Sequence, residues 1–207
     1  MITYGITVSN EYFEFKRLID NLTPYLIKGE EIIILADELK VTEEIKAFCK
    51  SRNLTINYHK FNNDFSEFKN KLISLTSTRF LFQIDADEQI PPSLIFAVRS
   101  ILSENNYDCI WIPRINIVNG HTDEDVINFN WNVNENNWIQ FPDYQIRVFE
   151  ANNKIKWYGE THEEVIGYKN NTIINFDPIE LFSILHVKDI AKQLQQNKLY
   201  KQIENNA

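Results

Sequence analysis

Hydrophobic and polar positions divide the first half of the chain into alternating strand-like and helix-like segments. Ile2 to Val8 is a short apolar-rich run, closed by the polar step Asn10-Glu11. From Tyr12 to Leu22 the apolar residues Phe15, Leu18, Ile19 and Leu22 recur at helical spacing, which predicts a helix that Thr23-Pro24 breaks. Glu31 to Ala36 is a β-branched run of the kind that forms strands buried on both faces. Val41 to Cys49 reads as a helix with Ile45, Phe48 and Cys49 on one face, and Thr55 to Tyr58 as a short strand. Phe65 to Leu75 is a helix built on Phe65, Phe68, Leu72, Ile73 and Leu75, and Arg79 to Ile84 is a strand running directly into Asp85-Ala86-Asp87-Glu88.

This alternation predicts an α/β protein whose parallel strands are joined by right-handed crossovers. Ligands of such sheets bind at the carboxyl ends of the strands. The residues there are Ser9-Asn10-Glu11, Asp37-Glu38 and Asp85-Ala86-Asp87, and each group carries a carboxylate.

Beyond Asp87 the pattern changes. Pro91-Pro92 opens a helix through about Leu102, since proline is tolerated in a first turn. Asp108 to Ile115 is a strand. Residues 116–143 are asparagine-rich with little helical signal, and alternation would put Phe129, Trp131 and Val133 on one side of an extended segment. So long a stretch, carrying Trp131 and Trp138, reads as a binding loop. Tyr144 to Phe149 and Ile179 to Val187 are further strands, and Asp189 to Glu204 is a polar C-terminal helix.

The 207 residues suit one domain with an ample core; 21 basic and 29 acidic side chains give a formal charge of −8. That surface repels phosphate backbones and argues against tight nucleic-acid binding. No apolar run is long enough for a bilayer-spanning helix, and the N-terminus lacks the basic and apolar regions of a secretion signal. Cys49 and Cys109 lie far apart with no Cys-His cluster, which argues against a disulfide framework or thiolate-bound zinc and fits a reducing cytoplasm.

Asp85-Ala86-Asp87 is the strongest local signal. In extended geometry residues i and i+2 point the same way, so both carboxylates would face one cleft. Two carboxylates so close repel unless a cation sits beside them, and hard divalent ions such as Mg²⁺ or Mn²⁺ suit one or two carboxylates plus substrate phosphates. The plainer alternative is a solvated acidic turn before the Pro91-Pro92 helix. Its place after an apolar strand, beside two other acidic strand ends, favours the cleft.

The order Phe68-Lys69-Asn70-Lys71, a helix, a strand and then Asp85-Ala86-Asp87-Glu88 resembles the core of family 2 glycosyltransferases of the GT-A fold. Phe141-Pro142-Asp143-Tyr144-Gln145-Ile146-Arg147-Val148-Phe149, followed by Gly159-Glu160-Thr161-His162-Glu163, is similar to a segment of small bacterial and phage members related to lipopolysaccharide-core transferases. Lys69 stands where arginine is usual, Thr78 where a helix-ending glycine is common, and the asparagine-rich insert has no counterpart.

The resemblance implies a GT-A domain over residues 1–188, with 1–115 as the nucleotide-sugar half, 116–188 as the acceptor and catalytic half, and 189–207 as a C-terminal helix. It implies that Thr7, Ser9, Asn10 and Glu11 line the nucleoside pocket with Asp37, although Asn10 and Glu11 equally suit a helix N-terminus and Asp37 a strand-end turn. Lys69 and Asn70 would flank and orient the nucleotide, and Asp85, with Ala86 beside it, would bind ribose or sugar. Asp87 would hold a Mn²⁺ or Mg²⁺ ion that bridges the diphosphate, with Asp85 and His186 as further ligands. Arg147 is a candidate phosphate partner, because a guanidinium fork matches phosphate geometry. Glu163 is the first candidate for the base that takes the acceptor's proton and Asp143 the second, with Glu160 and Glu164 expected to raise the Glu163 pKa. The expected activity is an inverting transfer from a UDP-sugar to a glycan, lipid-linked or protein acceptor. The rivals are an inactive sugar-nucleotide or glycan-binding module, and a nucleotidyltransferase, whose usual glycine-rich loop is missing after the first strand.

Overall fold

The computed structural model describes residues 1–104, 106–152 and 154–205. The elements follow in the order β1 (Ile2–Val8), α1 (Tyr12–Leu22), β2 (Glu31–Asp37), α2 (Glu43–Ser51), β3 (Thr55–His59), α3 (Phe65–Leu75), β4 (Phe80–Asp85), β5 (Glu88–Gln89) and α4 (Pro92–Glu104). The second half contains β6 (Cys109–Asn119), α5 (Asp123–Asn128), β7 (Ile139–Glu150), β8 (Lys156–Tyr158), β9 (Glu164–Ile166), β10 (Asn171–Ile173), β11 (Ile184–Asp189) and α6 (Ile190–Glu204). The main sheet has the order β3-β2-β1-β4-β7-β6-β11-β5, with β10 beside β6.

Strands β3, β2, β1 and β4 are mutually parallel, as the alternation predicts. Their period of two sorts side chains between two cores. Ile32, Ile34 and Ala36 of β2 join Tyr4, Ile6 and Phe82 beneath α1, α2 and α4, whereas Ile33 and Leu35 pack with Phe68 and Leu72 of α3. Each fully buried Phe or Leu here contributes about 1.5–3 kcal/mol. Gly5 lets α3 approach β1, because a Cβ there would lie 2.6 Å from Leu81 Cδ1 and 2.8 Å from Leu72 Cδ2. Helix α2 starts two residues later than its apolar pattern suggests, since Thr42 serves as its N-cap and accepts from the Ile45 amide.

The second half departs from expectation. Strand β7 runs antiparallel between β4 and β6, and β5 antiparallel to β11, so the sheet is mainly but not wholly parallel. Residues 116–143 are not one extended loop: β6 continues to Asn119, α5 follows, and β7 begins at Ile139. A capping box between Thr122 and Asp125 starts α5, and Asn130 takes a positive φ just after it. Phe129 and Trp131 therefore lie ring to ring, 5.1 Å between centroids, instead of alternating along a strand. Ile179–Phe182 is a 3₁₀ turn, so β11 starts only at Ile184. The β8–β9 hairpin was not expected. Cys49 and Cys109 are buried and unpaired, and among the described residues no helix is long and apolar enough to cross a membrane.

Candidate active site

The parallel register sets Thr7 opposite Leu35 on one side and Asp85 on the other, so the ends of β1, β2 and β4 reach one edge of the sheet together. A cleft of about 1090 Å³ opens there. Thr7, Ser9, Asn10, Glu11, Asp37, Lys69, Asp85, Ala86, Asp87, Asp143, Arg147, Glu163 and His186 all line it. Asn70 does not. Its amide is spent on both backbone groups of Trp157, accepting from the N–H and donating to the carbonyl at 2.9 Å each, so it anchors β8 to α3 rather than orienting a ligand.

The two aspartates of the acidic motif are not twin extended side chains. Asp85 ends β4, whereas Asp87 sits in the turn before β5. Asp85 Oδ1 accepts from the Thr7 hydroxyl at 2.7 Å, and Oδ2 accepts from Arg147 Nη2 at 3.1 Å. Burial alone would raise the Asp85 pKa, but Lys69 and Arg147 outweigh it and hold the carboxyl far below its ordinary range. Asp87 faces the other way, toward His186 and Lys192. Burial is again outweighed, here by His186, Lys192 and Lys188, and Asp87 stays ionised.

Behind them lies Glu88, fully buried, which the sequence reading passed over. Its Oε2 accepts the Asp85 amide at 3.0 Å, and its Oε1 lies 2.5 Å from Arg147 Nη2 and 3.3 Å from Arg114 Nη1. Arg147 is only 2 % exposed, and its Nη2 locks Asp85 onto Glu88, while its buried Nε and Nη1 have no hydrogen-bond partner among the described residues. Burial opposes its charge, but Glu88 and Asp85 outweigh that cost and push its pKa above the ordinary arginine range. Asp143 does not suit a base. Arg114 reaches it with two nitrogens at 2.9 and 2.7 Å, Asn116 and Gln145 also donate to it, and these together overcome burial and lower its pKa.

Asp143 instead begins a chain of orientation. Asn116 Nδ2 donates to the Asp143 carboxylate at 2.8 Å, which turns Asn116 Oδ1 toward His186 Nδ1 at 2.9 Å. A carbonyl oxygen only accepts, so Nδ1 carries a proton and Nε2 is the ring nitrogen left to face Asp87. Nε2 lies 3.5 Å from Asp87 Oδ2. A proton on Nε2 would complete an ion pair there; without it, two acceptors that close need a cation between them. Cis ligands of an octahedral ion, each about 2.1 Å from it, stand about 3 Å apart, so the pair fits a Mn²⁺- or Mg²⁺-sized ion with slight adjustment. Among the described residues no three His, Cys, Asp or Glu side chains could hold a metal together. Asp85 is held by Thr7 and Arg147, so Asp87 and His186 are the residues that would hold such an ion, with substrate or water completing its coordination. The pairing of Glu88 with His186 between β5 and β11 is what brings the imidazole beside Asp87.

On the opposite wall, Glu163 points inward with its side chain 11 % exposed, whereas Glu160 and Glu164 face solvent. Its ion pair is with Lys69, at 2.5 Å, and Lys69 lies 4.4 Å above the Trp157 ring. The expected crowding by neighbouring glutamates is therefore replaced by a single cation contact. Glu11 stands at the N-cap position of α1, but its carboxylate folds back onto the Ser9 and Asn10 amides at 2.9 and 3.0 Å and makes no helix-capping bond. Asp37 is 5 % exposed and accepts from the Leu39 and Phe61 amides, with Lys40 3.9 Å away. Trp131 lines the cleft, while Trp138 packs on Phe141 at 4.8 Å.

Arg114, Asn116, Lys188 and Lys192, which no sequence motif marks, also line the cleft. Burial, helped by Arg114 and Lys192, pushes the Lys188 pKa down to about 8 despite Asp87. The only signal for the two lysines is their nearness in sequence to His186.

The strand order, with an acidic turn at the carboxyl edge of the parallel half, defines the GT-A class of α/β fold. No family model matches the chain. The glycosyltransferase SunS of Bacillus subtilis strain 168 and of Bacillus phage SPbeta is 28 % identical to it over 179 residues, covering 84 % of this chain and 37 % of each relative. The chain thus spans little more than a third of the length of these curated relatives. Among solved structures, Staphylococcus aureus TarS 1–349 in complex with UDP-GlcNAc superimposes with a TM-score of 0.63 at 13 % identity, covering 90 % of this chain and 58 % of the TarS 1–349 chain. TarS 1–349 in complex with UDP gives a TM-score of 0.57 at 12 % identity, covering 90 % and 60 %.

Proposed function

We propose that the chain is a metal-dependent, inverting glycosyltransferase that takes a sugar from a nucleoside-diphosphate donor, UDP-linked in the first instance. The observation that carries this reading is Asp87 Oδ2 lying 3.5 Å from His186 Nε2, at the strand ends of a cleft large enough for a nucleotide sugar. SunS relatives named as glycosyltransferases and the likeness to UDP-bound TarS support it.

In this reading residues 1–115 hold the donor, with the nucleoside between Asp37 and the β1 end from Thr7 to Glu11, and the diphosphate toward Asp87 and His186. A divalent ion held by Asp87 and His186 would supply the positive charge that offsets the departing diphosphate. Asp85, fixed by Thr7 and Arg147, receives hydrogen bonds from ribose or sugar hydroxyls. Residues 116–188 present the acceptor, with Trp131 at the rim as a stacking surface. Glu163 takes the proton of the acceptor's nucleophile as that atom bonds to the anomeric carbon; the bond from that carbon to the phosphate oxygen breaks, and its electron pair leaves with the nucleoside diphosphate. The acceptor is a glycan, lipid-linked group or polypeptide.

A panel of nucleotide sugars, scored for hydrolysis and transfer with and without Mn²⁺, tests this. One donor is expected to turn over only with the ion, Asp87→Ala should lower that rate by about 10²–10³-fold, and Glu163→Gln should abolish transfer while preserving donor binding. Full activity in Asp87→Ala would overturn the ion assignment. Binding without turnover across the panel would instead identify a sugar-nucleotide-binding module.

A further inference from the structure

Asp87 already has a cation. Lys192, in the first turn of α6, lies 3.1 Å from Asp87 Oδ2 and 3.9 Å from Glu11 Oε1. The oxygen it touches is the same one that faces His186 Nε2. An ammonium group and a divalent ion sharing that oxygen would repel each other strongly at such short range. Lys188 adds a second ammonium to the same wall, tethered to Gln196 Oε1 at 2.7 Å. Without a ligand, the acidic groups Asp87 and Glu11 are thus matched by lysine. A divalent ion arriving alone leaves an excess of positive charge, and an ion arriving with a diphosphate does not.

Helix α6 is suited to such an exchange. Gln193, Gln196, Leu199 and Tyr200 line the cleft along its length, and Tyr200 meets Phe65 and His162 edge-on, each at 5.4 Å between centroids. Ile203 is its one fully buried residue among those described, so its first turn can shift without opening the core.

We propose that Lys192 is the donor-linked counter-charge of this site: it holds Asp87 Oδ2 in the free protein and moves onto the diphosphate when a divalent ion takes that oxygen. Lys192 thereby couples the binding of ion and nucleotide, each strengthening the other by the same factor. The inference rests on the donor site proposed above.

The test measures Mn²⁺ binding from the electron paramagnetic resonance signal of the free aquo ion, with and without UDP, and UDP binding by calorimetry in EDTA. Both are run on the wild type, Lys192→Gln and Lys192→Arg. Lys192→Gln is expected to bind Mn²⁺ about tenfold more tightly in the absence of UDP, a size typical of coupling between sites, while its UDP affinity in EDTA, where no ion displaces Lys192 from Asp87, stays close to wild type. Lys192→Arg, which keeps the charge, should stay close to wild type in both. If Lys192→Gln leaves the Mn²⁺ affinity without UDP within twofold of wild type, or weakens it, the counter-charge role is overturned while the donor site stands. A wild-type protein that binds neither Mn²⁺ nor any nucleoside diphosphate overturns the donor site itself.

Discussion

Replacing Glu88 by alanine removes the carboxylate on which both arginines of the cleft floor converge. Glu88 is completely buried and Arg147 nearly so, and their contact is 2.5 Å long. Deleting one partner of a buried ion pair costs about 3–5 kcal/mol, because the other charge is left desolvated. Two observations place the cost at the low end. Arg147 keeps Asp85 at 3.1 Å, and Arg114 keeps Asp143 at 2.7 Å. The Asp85 amide loses its acceptor as well, which adds about 1 kcal/mol. A total of about 4 kcal/mol is expected, and at about 2–4 °C per kcal/mol for a chain of this size the melting temperature should fall by roughly 8–16 °C. Glu88→Gln keeps the volume and one acceptor oxygen and should lose only about 1–2 kcal/mol. Urea unfolding of the ligand-free protein, paired with calorimetry, measures both. A Glu88→Ala protein within about 1 kcal/mol of wild type would refute the view that this carboxylate neutralises the arginines. The double variant Glu88→Leu/Arg147→Met separates structure from site, since an apolar replacement of a buried pair restores much of the stability. Asp85 would still lack its clamp, so UDP affinity should remain low in the restabilised protein.

Asn116→Leu removes the acceptor that fixes the His186 tautomer, and should weaken Mn²⁺ binding in the presence of UDP by about 10–100-fold, as loss of such supporting hydrogen bonds usually does. Titration of the aquo-ion signal reads this, and an unchanged affinity would show that His186 is oriented by something else. Asp143 has a folded pKa depressed below its ordinary 3.8, with Arg114 and its amide donors outweighing burial. Its contribution to stability is therefore complete above the unfolded pKa and is lost as pH falls through the lower folded value. Asp143→Asn should flatten the fall in unfolding free energy on acidification below about pH 4, measured by urea titration at stepped pH, while an acid limb as steep as wild type would assign the loss to other carboxylates.

The first half of the fold is legible in the chain because its elements are long and most apolar positions at helical or strand spacing are buried, although α3 also buries Ser66 and Lys69. Helices α1 and α3 end where the apolar spacing ends, and β2 alternates between two cores just where a run of β-branched residues announces burial on both faces. The second half is harder for physical reasons. Helix α5 is only one and a half turns long and buries none of its side chains; its signal was the Thr122–Asp125 capping box rather than any stripe. The 3₁₀ turn at Ile179–Phe182 carries apolar residues that look like strand. Site residues split the same way. Thr7, Asp37, Asp85 and Asp87 could be found because a parallel sheet delivers strand ends to one edge, whatever the details of packing. Glu88 looks like part of the acidic run that contains Asp85 and Asp87, yet it is the member that turns inward, and only its two-residue pairing with β11 makes it do so. Lys192 reaches Asp87 from a position 105 residues away, and Asn116 reaches His186 from 70 away. No local pattern encodes either meeting; the register of β11 against both β6 and β5 does. The Asp87–His186 pair is therefore set by strand register as much as by residue identity, and a slip of one residue in β11 would turn the imidazole to the opposite face of the sheet while leaving every sequence motif intact.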